Sequence, residues 1–173
     1  LGQRRGPDAL VAGSGDDTGP GVLSLVTDGR QALDLFGAVD PDVETVGNHD
    51  LDNGPAALEA VVADSPQEWV LANVTVDGER FGAAAGVEPA TTVTVDGTDV
   101  GVVGVIAPET PEMVPGLDAF EVTDPVAAVA RHADRLSGSG AEYVVALAHV
   151  SQADARAVAR ETAVDAVLAG HSH

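Results

Sequence analysis

Short apolar runs alternate along the chain with segments in which apolar residues recur every three or four positions. The runs predict strands, and the recurring patterns predict amphipathic helices. The predicted strands are 8–12, 43–46, 69–72, 91–95, 100–106, 143–148 and 164–169. The predicted helices are 22–39, 55–63, 125–136 and 152–162. This order is mostly strand–helix–strand, which predicts an α/β fold with mainly parallel strands and helices on the outside.

Two local signals support this assignment. Asp96-Gly97 lies between two β-rich runs, and an Asp-Gly pair in that position is typical of a hairpin turn. Asp124-Pro125 precedes a helical pattern, with Asp suited to the N-cap and Pro to the first turn. A chain of 173 residues without an internal linker predicts one domain, 1–173.

Polar side chains follow several of the predicted strands. The segment Gly47–Asp52 reads Gly-Asn-His-Asp-Leu-Asp and comes directly after the strand 43–46. Asp16 follows the first predicted strand. Because the carboxyl ends of parallel strands meet at one edge of a sheet, side chains placed there are expected to converge. Four of the five histidines come just after a predicted strand, namely His49, His149, His171 and His173.

This set of side chains predicts a metal site. Oxygen and imidazole ligands without thiolate suit Mn, Fe, Zn or Co, and the chain has no cysteine. The fifth histidine, His132, lies inside the predicted helix 125–136 and is expected on the surface of that helix, outside the site. The residues alone leave one alternative for Gly47–Asp52, a polar turn that caps the next helix.

Three short motifs resemble those of the calcineurin-like metallophosphoesterases. Gly47–Asp50 resembles the Gly-Asn-His-Asp/Glu signature, and Leu51-Asp52 makes it similar to the form found in 5'-nucleotidases. Gly15-Asp16 resembles the Gly-Asp motif, and Gly170–His173 resembles the Gly-His-x-His motif. The resemblance covers nearly the whole chain. It implies two packed mixed β-sheets flanked by helices, with metal ions at the strand ends.

The resemblance also implies a metal-binding role for five residues. Two divalent metal ions (Mn, Zn, Fe or Co) would be bridged by Asp16. The second metal would also bind Asn48, His149 and His171, whereas His173 would bind the first metal.

The resemblance implies that His49 is the catalytic histidine beside the leaving group. Asp52 would orient the His49 ring and fix its tautomer, and Asp50 would support the loop. The implied reaction is that of a 5'-nucleotidase, in which water activated by the metals attacks the phosphorus of a nucleoside monophosphate. No side-chain nucleophile is required.

Several alternatives share these motifs. The enzymatic ones are a cyclic-nucleotide phosphodiesterase, a nucleotide-sugar hydrolase and a thiosulfate-ester hydrolase. A different alternative is a non-catalytic domain of the same fold that holds one metal. The family's opening Asp-x-His motif, which ligates the first metal, has no counterpart before Asp16, and this favours the non-catalytic alternative. The His49–Asp52 pair favours the enzyme. We expect that motif and the C-terminal domain of 5'-nucleotidases to lie outside 1–173.

The chain is strongly acidic, with 28 Asp and Glu against eight Arg, no Lys and a net charge of −20. Such a charge repels nucleic acid and anionic membranes, so neither is expected as a partner. The expected partner that the resemblance implies is a small-molecule phosphoester such as a nucleotide. The composition is typical of a halophile-type surface, with an anion-excluding surface as the alternative. No apolar run approaches ~18 residues, and no signal peptide is visible, which favours a cytoplasmic location.

Overall fold

The computed structural model describes residues 8–172, and it confirms the predicted α/β fold of packed sheets with flanking helices. The strands are β1 Val43–Thr45, β2 Glu68–Val70, β3 Val74–Val76, β4 Glu79–Arg80, β5 Val87–Glu88, β6 Ala90–Val95, β7 Thr98–Ile106, β8 Phe120–Val122, β9 Tyr143–Val150 and β10 Ala166–His171. The helices are α1 Ser24–Thr27, α2 Ala32–Val39, α3 Pro55–Asp64, α4 Thr110–Met113, α5 Pro125–Gly138 and α6 Gln152–Glu161.

Two sheets pack face to face between two layers of helices. One is parallel, in the order β1-β2-β5, and the other is mixed, in the order β10-β9-β7-β6 with β6 antiparallel. Side chains between the sheets, such as Val43 and Leu147, are fully buried. Helices α2 and α3 cover the outer face of the first sheet, and α5 and α6 cover that of the second. A small antiparallel sheet, β4-β3-β8, lies beside them.

Both local signals in the sequence form the expected structures. Asp96 and Gly97 have positive φ angles of 47° and 81°, as a two-residue hairpin turn requires, and they join β6 to β7. At the start of α5 the Asp124 carboxylate accepts a hydrogen bond of 2.8 Å from the backbone N–H of Val126. These contacts fix the hairpin register and the start of α5.

Two predicted elements are wrong in detail. Within residues 8–172 the segment 8–12 forms one bridge, Ala12 to Val43, and no regular strand. The N–H of Val11 donates to the Asp42 side chain, and the Val11 carbonyl accepts from the backbone N–H of Asp42. The predicted helix 22–39 is two helices, α1 and α2. Asp28 and Gly29 between them adopt left-handed backbone angles, which end a right-handed helix.

His132 lies on α5 as predicted, but it is not on the protein surface. Its relative exposure is only 7%, because it lies on the stripe of α5 that also buries Val129 and Ala133. No helix among residues 8–172 is both long and apolar enough to cross a membrane.

Candidate functional site

The structure brings four of the predicted ligands together at one edge of the two sheets. Asn48 opens a 3-10 turn, Asn48–Leu51, that directly follows β1. His149 and His171 belong to the last residues of β9 and β10, not to the loops beyond them as the sequence predicted. Asp16 lies in the loop after the extended N-terminal segment. The fifth predicted ligand, His173, lies outside the described residues.

The atoms of these four side chains that can coordinate a metal lie within a small volume. The Nε2 atom of His149 lies 3.1 Å from Oδ1 of Asn48 and 3.2 Å from Oδ2 of Asp16. The Nδ1 atom of His171 lies 2.9 Å from the same Asn48 oxygen. Ligand atoms that share one cation at about 2.1 Å are about 3 Å apart, so these separations fit a common divalent ion. Within residues 8–172 no group of three His, Asp, Glu or Cys side chains forms a metal cluster, and the convergence centres on an amide oxygen.

The tautomer of His149 indicates that this arrangement needs a positive charge. Its Nδ1 atom lies 2.8 Å from the backbone carbonyl of Ser14, which can only accept, so the proton of a neutral ring is on Nδ1. The lone pair on Nε2 then faces two further acceptors, from Asp16 and Asn48. Three acceptors in contact require a positive charge among them, either a proton on Nε2 or a bound cation. Metal-ligating histidines commonly donate their other N–H to a backbone carbonyl in this way.

The pKa shifts of the site residues agree with the need for a positive charge beside Asp16. Burial acts to raise the pKa of Asp16, but the hydrogen bond and charge of His149 outweigh it and hold that pKa below its ordinary value. Burial acts to lower the pKa of His149, and the hydrogen bonds to Asp16 and Ser14 raise it overall. Burial, followed by the charge of His149, lowers the pKa of His171. Asp16 is therefore kept as a carboxylate.

His49 and Asp52 form a pair beside this cluster. The Nδ1–H of His49 donates to Oδ2 of Asp52 over 2.9 Å, and both side chains are partly exposed. The backbone N–H of His49 donates to Oδ1 of Asp16 over 2.8 Å, which ties the pair to the cluster. His49 lines the same cavity of about 460 Å³ as Asp16, His149 and His171. The position of His49 beside the cluster is thus fixed by its backbone hydrogen bond to Asp16 and not by its imidazole ring.

Asp50 holds the site loops together, as the sequence predicted. It is buried, and its carboxylate accepts hydrogen bonds from the backbone N–H groups of Asp16, Thr18 and Gly47 and from the Thr18 hydroxyl, over 2.7 to 2.9 Å. Burial nevertheless raises the pKa of Asp50. No pattern in the sequence indicated that Thr18 would be a partner.

The backbone at the site is strained and closely packed. Asp16 and His171 have positive φ angles of 67° and 74°, which are uncommon for residues other than glycine and cluster at functional sites. Gly47 is required by close approach, because a Cβ atom there would lie 2.2 Å from Oδ1 of Asp16 and 2.7 Å from the His149 ring. The two loops can therefore meet only with glycine at this position.

A buried glutamate behind the site, next to Asp17, was missed by sequence reasoning. Glu44 lies in β1 with 3% relative exposure, and one of its carboxyl oxygens has no hydrogen-bond partner within the described chain. Burial, together with the charges of Asp17 and Asp50, raises the pKa of Glu44 to about 9. Burial and the charge of Asp50 also raise the pKa of Asp17, and a hydrogen bond from Glu44 opposes this. The signal in the sequence was an acid inside an apolar run.

We expect Glu44→Gln to flatten the pH dependence of stability. The folded state raises the pKa of Glu44 from 4.5 to about 9, so the free energy of unfolding falls as pH rises through that range. The slope from this group is up to about 1.4 kcal/mol per pH unit. Urea unfolding at pH 5, 7 and 8.5 measures it, with exposed Glu121→Gln as the control. Parallel curves for Glu44→Gln and wild type would contradict the assignment.

Comparison with known proteins gives structural matches alone. No protein-family model and no curated protein sequence matches this chain. A 5'-nucleotidase precursor from Thermus thermophilus superposes with a TM-score of 0.89 at 23% identity, over 98% of this chain and 34% of that one. The NAD nucleotidase of Haemophilus influenzae superposes with a TM-score of 0.82 at 23% identity, over 95% and 33%.

A third solved structure is a calcineurin-like phosphoesterase from Bacillus subtilis, with a TM-score of 0.79 at 19% identity. It is matched over 95% of this chain and 58% of that chain. The present chain thus spans about a third of the length of the two nucleotidases. Nearly all of the chain superposes on each of the three, in agreement with the resemblance of the motifs. This chain has the fold that calcineurin-like phosphoesterases and 5'-nucleotidases share.

Proposed function

We propose that this chain is a catalytic domain of a metal-dependent phosphoester hydrolase of the 5'-nucleotidase type. The observation that carries the proposal is the convergence of acceptor atoms from His149, Asp16 and Asn48 beside the His49–Asp52 pair. The nucleotidases and phosphoesterases that share the fold support it. A non-catalytic domain with one metal would have no use for His49 and Asp52.

Asp16, Asn48, His149 and His171 would hold a divalent cation, and their donor set of carboxylate, amide and imidazole fits Mn, Fe, Zn or Co. His173 remains the predicted ligand of the first metal. Bound divalent cations would neutralise the phosphate oxygens and lower the pKa of a water molecule. The hydrogen bonds of Asp50 keep the loop residues Asp16 and Gly47 in register for this purpose.

His49 would act on the leaving group. Its Nδ1–H is donated to Asp52, so the neutral ring leaves Nε2 as the atom that exchanges a proton with a substrate oxygen. With Asp52 holding the ring in place, His49 would give a proton from Nε2 to the departing alcohol. The 31% exposure of the Asp52 side chain and 42% exposure of His49 leave the pair accessible from solvent.

The substrate we propose is a nucleoside monophosphate. The cavity at the site is polar and open to solvent. Among residues 8–172 it is lined by His49, His149 and His171 but by no Phe, Tyr or Trp side chain that could stack on a base. The phosphate end of the substrate is therefore the part that these residues would recognise.

Hydrolysis of three substrates tests the proposal, followed by p-nitrophenol release from the two p-nitrophenyl esters and by phosphate release from the nucleotide. We expect p-nitrophenyl phosphate and adenosine 5'-monophosphate to be hydrolysed in the presence of Mn²⁺ and not after its removal with EDTA. Bis-p-nitrophenyl phosphate should react more slowly, since a nucleotidase cleaves monoesters. Faster cleavage of the diester would favour a phosphodiesterase. No metal-dependent release from any of the three would favour the non-catalytic domain.

A further inference from the structure

A second cavity, of about 510 Å³, lies between α5 and the segment that joins β2 to β3. It shares no lining residue with the cavity at the candidate active site. Leu71, Val74 and Pro89 give it apolar walls, and Thr75 adds a hydroxyl group. A concave site of this size with apolar walls and a few polar groups is typical of small-molecule binding.

Three of the eight arginines in this acidic chain line the second cavity. Arg131 and Arg135 are four residues apart on α5 and therefore lie on the same side of that helix. Arg80, from β4, also lines the cavity. The lining thus concentrates positive charge in a protein whose net charge is −20. Chance placement of so few basic residues would scatter them among the acids.

Two of these arginines lack an acidic partner in the part of the chain that the structure describes. Arg80 donates to Oε2 of Glu88 over 2.9 Å, but within residues 8–172 neither Arg131 nor Arg135 forms an ion pair or a side-chain hydrogen bond. One acid, Asp124, lies at the cavity, and its carboxylate is engaged with the backbone of α5. The guanidinium groups of Arg131 and Arg135 keep their donors available for a ligand.

His132 provides the second, independent observation. Its relative exposure is 7%, yet no hydrogen bond to its ring is found in the described part of the chain, and neither ring nitrogen is sealed from solvent. It lines both the second cavity and a smaller neighbour of about 230 Å³ that also contains Arg135. Burial, followed by the charges of Arg131, Arg135 and Arg80, lowers the pKa of His132. Because its ring nitrogens reach solvent and have no partner in the described chain, His132 can form a hydrogen bond with a molecule that enters the second cavity.

From this geometry we infer that the second cavity binds a small organic phosphate. Three guanidinium groups, two from α5 and one from β4, can donate to the several oxygens of one phosphate group, whereas a single carboxylate is satisfied by one arginine. The apolar walls formed by Leu71, Val74 and Pro89 suit the organic part of the molecule. Such a site is separate from the candidate active site and does not depend on the proposed reaction.

Titration with inorganic phosphate and with adenosine 5'-monophosphate tests the inference, in EDTA so that no metal contributes. We expect amide resonances of residues 123–135 to shift in two-dimensional NMR spectra, with tighter binding of the nucleotide than of phosphate. The double variant Arg131→Gln/Arg135→Gln should weaken nucleotide binding at least about tenfold, since one hydrogen bond to a charged group accounts for roughly that factor.

The matched control is Arg156→Gln/Arg160→Gln. It removes the same two charges, with the same spacing, from the exposed face of α6. Retained binding in this control and weakened binding in the α5 variant would support the site. Equal weakening in both would show a general charge effect and overturn it. Shifts confined to residues around His49, or no shift at about 10 mM ligand, would overturn it as well.

Discussion

Replacing His49 by alanine should lower phosphomonoester turnover by about 10²- to 10⁴-fold, the usual contribution of acid–base catalysis. The structure places His49 at the edge of the ligand cluster, where only its backbone N–H contacts Asp16. Its ring donates to Asp52 and takes no part in the convergence around Asn48. We therefore expect the metal content of His49→Ala to equal that of the wild type. Turnover with p-nitrophenyl phosphate and elemental analysis after dialysis measure the two effects.

Asp52→Asn is the companion variant. It keeps the size of the side chain but removes the carboxylate that orients the His49 ring, so turnover should fall in the same direction by a smaller factor. Loss of metal from His49→Ala would show that His49 is a ligand. Unchanged turnover in His49→Ala would remove it from the reaction altogether.

Replacing a residue of the convergent cluster should, unlike His49→Ala, lower the metal content. Asn48→Ala, His149→Ala and His171→Ala are each expected to weaken metal binding by at least about 100-fold, the upper end of the loss seen when a residue that only supports a metal ligand is replaced. Turnover should fall with the metal. His171→Ala is the cleanest of the three, because His149 is buried and its removal would also leave a cavity. Titration with Mn²⁺ followed by calorimetry measures the affinity.

Asn53→Ala is the matched control for Asn48→Ala. Asn53 lies in the turn before α3 and lines neither the candidate active site nor the second cavity. Its replacement should leave metal affinity unchanged. Equal affinity in the wild type and all three cluster variants would refute the assignment of these residues as ligands.

The sequence predicted the elements whose residues alternate or recur over many positions. Strands near 100–106 and 143–148 and helices near 125–136 and 152–162 have enough residues for the period to be read. Strands β3, β4, β5 and β8 have two or three residues each and carry no period at all. The break between α1 and α2 depends on left-handed backbone angles at Asp28 and Gly29, which the apolar pattern around them does not reveal.

The candidate site was predictable because several of its residues lie at or just after the ends of strands that end side by side. What the sequence did not reveal depends on contacts between distant segments. The carbonyl of Ser14 fixes the His149 tautomer, and the carboxyl of Glu44 is buried against Asp17. The burial of His132 was readable in part, since it lies three residues after Val129 on the apolar stripe of α5. The position of His132 near Arg80, from β4, could not be predicted from the sequence.

Anomalous scattering at the zinc edge, from crystals grown with Zn²⁺, is the most direct test of the candidate metal site. We expect a peak within about 2.0–2.2 Å of ligand atoms from Asp16, Asn48, His149 and His171. A further peak beside His173 would locate the first metal. Peaks only elsewhere in the protein, or a site ligated by His49 without Asn48, would contradict the proposed metal site.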